Sequence, residues 1–164
     1  MAVAWIDPIY DRSQADVDRI KELNLIGYHN MTAAEKAEWE LDSKGALNTS
    51  DLTRIENNVQ ILSDVFELDL DTYDGNIPEI PMTTYYANLR NNVQEIRDTG
   101  FIHSDTPLVP ASPLNGYTKW NDIEKILYDV HKVLTDNFYH YCHTVPVSGE
   151  YGGVYAGEQI GLLL

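Results

Sequence analysis

The sequence predicts a mainly α fold: a small bundle of short amphipathic helices joined by Pro-rich extended connections, with an N-terminal extended arm and a short C-terminal β-strand region. Three observations point there. In "KGALNTSDLTRIENNVQILSDVF" the residues Leu52, Ile55, Val59, Leu62 and Phe66 follow 3, 4, 3, 4 spacing, which puts them on one face of a helix. The pattern then returns: Asn57–Gln60 recurs as Asn91–Gln94, 34 residues on, and the stripe recurs at Tyr86, Leu89, Val93 and Ile96, with Gly100 in fifth place. At twice that offset stand Trp120, Ile123, Leu127, Val130 and Leu134, and Glu124 takes the place of Glu56.

A 34-residue period is that of tetratricopeptide arrays, which need two helices per unit. Here the second half of each unit is acidic and Pro-rich, "LDLDTYDGNIPEIP" and "FIHSDTPLVPASPLN". Proline holds such segments out of helix, so the repetition predicts a bundle with long extended connections.

Taken in order, residues 1–12 read as an extended arm, with Trp5, Ile6, Ile9 and Tyr10 as apolar anchors around Pro8. Residues 13–137 read as the helical body. Ser13 with Asp16 forms a capping box for a first helix striped by Val17, Ile20 and Leu23, and Gly27 stops it. Thr32 with Glu35 caps a second that ends near Gly45, and Thr49 or Ser50 is placed to cap the third. Leu52, Ile55, Val59, Leu62, Leu89, Val93, Ile96, Trp120, Ile123, Leu127 and Val130 are expected to form one core. Residues 138–164, "FYHYCHTVPVSGEYGGVYAGEQIGLLL", alternate aromatic, polar and β-branched side chains between Gly-rich turns and read as two or three short strands.

Composition narrows the function. With 26 acidic and 11 basic residues the formal charge is −15, which argues against nucleic acid as a partner, because phosphate contacts rest on clustered Lys and Arg. No run of about 18 apolar residues is present, so membrane insertion is not expected. The single cysteine, Cys142, rules out an internal disulfide framework. "MAVAWIDPIYDRS" has no basic and apolar leader, and the expectation is a soluble, non-secreted chain made in a reducing cytoplasm.

No motif carries reaction chemistry. His140, Cys142 and His143 supply metal-ligand types, with His103 and His131 elsewhere, yet a structural zinc site needs four ligands and a second cysteine pair is missing. "DLDTYDG" has calcium-loop composition, but counting from Asp69 puts Asp74 at the sixth position and Ile80 at the twelfth, where an EF-hand has Gly and Glu. "GEYGGVYAGE" lacks the Lys-Ser or Lys-Thr of a phosphate loop. The expectation is no enzyme, no cofactor and no metal. Eleven Tyr and three Trp against three Phe favour interfaces, where an apolar ring with a polar tip is useful.

"DRSQADVDRIKELN", "KGALNTSDLTRIENNVQILSDV" and "PLNGYTKWNDIEKILYDV" resemble segments of small structural proteins of bacteriophages and prophages of Gram-positive, clostridia-like hosts, associated with tail, baseplate or tail fibre. The resemblance covers most of residues 5–137 and brings no active-site motif. It implies a non-enzymatic virion structural protein, located in the virion, whose partners are other tail or baseplate proteins and copies of itself. The assembly interface is expected at the chain ends: Trp5, Ile6, Ile9, Tyr10, Tyr151, Tyr155, Ile160, Leu162, Leu163 and Leu164. The alternative is a host-surface glycan-binding module of a phage tail, with exposed Tyr and Trp as stacking platforms.

Overall fold

In a computed structural model the chain forms α1 (Gln14–Ile26), a 3-10 turn (Tyr28–Asn30), α2 (Ala33–Glu40), α3 (Thr49–Phe66), α4 (Thr83–Asp98) and α5 (Tyr117–Thr144). The structure describes residues 4–73, 77–78 and 81–144, the last eight of these (137–144) as backbone only, and no strand occurs among the described residues. The fold is mainly helical, as the periodicity predicts.

The helix starts follow local chemistry. Ser13 accepts from the Asp16 amide while the Asp16 carboxylate takes the Ser13 amide, and Thr32 and Glu35 do the same for α2. Gly27, at φ 73°, ends α1 in a conformation that a side chain disfavours. α2 stops at Glu40, short of the expected Gly45. Asn48, rather than Thr49 or Ser50, is the N-cap of α3, and its amide donates to Asp51 Oδ2 at 2.9 Å. Gly45 is needed for close approach: a Cβ there would lie 2.0 Å from the Asp16 carbonyl oxygen, so the turn before α3 fits directly against α1.

The core lies where α3, α4 and α5 pack on one another. All eleven residues expected there belong to it, joined by Tyr85 and Ile126. Each such aliphatic side chain contributes roughly 1.5–3 kcal/mol on burial, so the repeated stripe is the main source of cohesion. Tyr86, which the repeat phase puts on the stripe, is only half-buried, and its neighbour Tyr85 is the enclosed ring.

The extended connections are held by helix side chains that bond to their backbone. Arg90 and Arg97 of α4 donate to the carbonyls of Pro110 and Pro107 at 2.7 and 2.8 Å, and Lys119 of α5 donates to Ala111 and Pro113. Proline has no N–H to pair, so carbonyl acceptors are what such a segment offers.

One expected element differs. Residues 138–144 continue α5 instead of opening a strand. A short aromatic-polar alternation does not distinguish the two periods. The rest of the expected strand region, 145–164, lies outside the described residues.

Candidate functional site

The densest chemistry in the described structure is a groove along α3 and α5, filled by the chain's own arm. The helices bond to the arm's backbone through side chains that mimic the edge of a strand. Asn58 accepts from the Ile6 amide at 3.1 Å and donates to the Ile6 carbonyl at 2.7 Å. Asn121 does the same for both backbone groups of Arg12, at 3.2 and 2.8 Å. Beyond Ile6 Asn57 donates to the Ala4 carbonyl, and between Ile6 and Arg12 Glu124 accepts from the Ile9 amide at 2.7 Å.

At the inner end Arg12, Asp51, Arg54 and Glu124 form a buried group of two positive and two negative charges. Glu124, 0% exposed, accepts from Arg12 Nη2 at 2.7 Å, from Arg54 Nε and Nη2 at 2.9 and 2.8 Å, and from Ile9. Asp51 takes Arg12 and Arg54 on Oδ1 and the Asn48 amide on Oδ2. Burial works against the Asp51 charge, but the Asn48 amide and the Arg54 and Arg12 guanidinium groups outweigh it and hold the carboxyl below its ordinary range. Arg12 also donates to the Ile9 carbonyl, which closes the arm on itself.

The arm's anchors take different surroundings. Trp5 stacks on His131, ring centroids 3.8 Å apart and planes 6° apart. Burial lowers the pKa of His131, against the pull of Asp7. Tyr10 meets Tyr128 at 5.0 Å, with Lys125 Nζ 5.9 Å from each ring centre. Ile6 stays 45% exposed and Ile9 is half-buried. The other residues expected at the assembly interface, Tyr151, Tyr155, Ile160, Leu162, Leu163 and Leu164, lie outside the described residues.

A second buried carboxyl lies on the opposite side of α3. Glu56 is 2% exposed, and neither of its oxygens has a hydrogen-bond partner among the described residues; the nearby Tyr85 hydroxyl is likewise buried without one there. Burial raises the pKa of Glu56 and, with the Glu56 charge beside it, that of Tyr85.

Two open clefts border these elements. One, of about 520 Å³, is lined by Asp7, Pro8, Ile9, Tyr10, Asp11 and Tyr128; the other, of about 180 Å³, by Asp69, Asp71 and the amide-rich face of α4. No group of three or more His, Cys, Asp or Glu side chains is placed to hold a metal among the described residues. His140, Cys142 and His143 fall on α5, in the part described as backbone. No helix among the described residues is long and apolar enough to cross a membrane.

The periodicity did not reveal the four-charge group. The available signal was Glu124 and Glu56 standing inside apolar stripes, each four residues after one stripe residue and three before another. Comparison with protein-family models, with curated proteins and with solved structures finds no match to this chain.

Proposed function

We propose that the chain is a non-enzymatic virion structural protein, a phage tail, baseplate or tail-fibre-attachment component that assembles through its ends. One observation carries the reading: the most concentrated polar chemistry of the fold, Arg12, Asp51, Arg54 and Glu124 with Asn58 and Asn121, is closed on the chain's own arm and serves to fix an extended segment on the surface. That arrangement suits a scaffold that presents an arm. The three segments that resemble phage structural proteins lie in the same body.

The test uses full-length protein in light scattering and in capture of purified tail and baseplate proteins. Ile6→Asp changes an exposed anchor and leaves the buried charges intact, and removal of residues 157–164 takes away the apolar end. Each is expected to keep native helicity and to reduce oligomer mass or partner capture. Unchanged assembly in both would move the interface onto the helices.

The cleft of Asp7, Tyr10, Asp11 and Tyr128 favours a second reading, a glycan-binding module, because ring faces beside carboxylate acceptors suit a sugar's apolar face and hydroxyls. A thermal shift with host wall polysaccharide that disappears in Tyr128→Ala would support it.

A further inference from the structure

We propose that Glu56 and the connection Glu67–Tyr73 form a proton-controlled latch: the connection closes over α3 and α4 while the Glu56 carboxyl carries a proton and loosens when the proton leaves. The latch is independent of the partner the assembled protein meets.

The connection leaves α3 through Glu67 at φ 53° and folds back. Leu68 and Ser63 exchange two hydrogen bonds, the Thr72 hydroxyl meets Gln60, and Asn88 and Asn92 of α4 donate to the Asp71 carboxylate and carbonyl at 2.7 and 2.9 Å. Tyr73 then lays its ring 4.8 Å from that of Tyr85. Leu68, Leu70 and Tyr73 pack on the core as a lid over this side of the bundle.

Glu56 lies beneath. The groups that face it are the Tyr85 hydroxyl from α4 and, from the connection, the Tyr73 backbone amide and the like-charged Asp71. Among the described residues no Lys, Arg or His pairs with Glu56, and neither of its oxygens is in hydrogen-bond geometry with a partner; the Tyr85 hydroxyl and Tyr73 amide are the nearest donors and work against the effect of burial. A neutral carboxyl tolerates that setting; a carboxylate does not, because an unpaired charge out of water is far costlier than an unpaired neutral group. The connection packs over this side of the bundle, and apart from the Asp71 carboxylate it is held by neutral hydrogen bonds, each individually weak. Burial accordingly shifts the carboxyl toward its protonated form.

The test is amide hydrogen exchange at residues 68–73, corrected for base catalysis, from about pH 4 to about pH 9, a range that brackets ordinary and strongly raised carboxyl values. In the native chain protection is expected to fall at least tenfold across the range, while α5 amides stay constant. In Glu56→Gln, neutral at every pH, protection should remain flat. Parallel profiles in the two proteins would overturn the latch. If Glu56→Gln does not fold, infrared spectroscopy of the native chain decides: the protonated carboxyl band must persist above the ordinary carboxyl range and vanish in step with the loss of protection. A band lost within the ordinary carboxyl range, or lost out of step with protection, would refute it.

Discussion

Glu56 on α3 and Glu124 on α5 stand at the same place in the repeated pattern, each inside an apolar stripe and each withdrawn from solvent. Glu124 meets two arginines and an arm amide and accepts four hydrogen bonds. Glu56 meets a tyrosine hydroxyl and the connection Glu67–Tyr73 and accepts none among the described residues. The stripe decides that a position is buried, while the tertiary neighbour decides what burial does to it. On one side of α3 an extended segment brings Arg12, and burial produces a closed charge cluster. On the other the segment brings Asp71 and Tyr73, and burial produces a carboxyl that favours its proton.

The largest effect should come from breaking the satisfied side. Glu124→Ala leaves Arg12 and Arg54 buried with Asp51 as their remaining carboxylate, and removing one partner of a buried pair costs about 3–5 kcal/mol. Urea unfolding should show a loss of that size, together with exposure of Trp5 fluorescence as the arm lifts from His131. Arg12→Met is expected to cost less, about 1.5–3 kcal/mol, the range of a hydrogen bond to a charged group, since Arg54 still meets Glu124 with two nitrogens.

The two amides of the repeated Asn-Asn-Val-Gln motif extend the comparison. Asn58 and Asn92 are both buried and both hold an extended segment, but Asn58 makes two backbone bonds to Ile6 where Asn92 makes one to Asp71. Asn58→Ala should cost about 1–3 kcal/mol by stranding two backbone groups, and Asn92→Ala about 1 kcal/mol. Equal losses would show that the arm's backbone bonds are no stronger than those of the connection.

These residues show what the sequence could tell and where it stopped. Stripe spacing and capping chemistry are local, so the core positions on α3, α4 and α5 and the caps at Ser13 and Thr32 were legible from one stretch of chain at a time. The duplicated motif was legible as a repeat. Its role was not, because Asn58 finds Ile6 across 52 residues and Asn92 finds Asp71 from another direction. Ile126 was missed for a related reason: α5 contacts both α3 and α4, so its apolar face is wider than one stripe. The four-charge group required residues 12, 51, 54 and 124 to meet, and nothing in their spacing announces that.

The smallest change in magnitude, and the most telling in sign, is expected for Glu56→Gln. At mildly acidic pH the native carboxyl is protonated and glutamine is nearly isosteric, so the two stabilities should agree within about 1 kcal/mol, the scale of one neutral hydrogen bond. As pH rises above the ordinary carboxyl range, the unfolded chain gives up the Glu56 proton while the folded chain, with its raised pKa, keeps it. The unfolded state then binds fewer protons than the folded one, so native stability falls with pH until the raised value is passed and then levels off. Glu56→Gln removes that slope and should be the more stable protein on the alkaline side. Asp51 acts in the opposite direction: its lowered pKa gives stability that is present above the ordinary carboxyl range and lost as pH falls through the lowered value. Melting temperatures across pH should therefore show an acid limb shared by both proteins and a second limb, above the ordinary carboxyl range, confined to the native chain. A second limb of equal slope in Glu56→Gln would mean that another group carries it and that the Glu56 side of the comparison is as well satisfied as the Glu124 side.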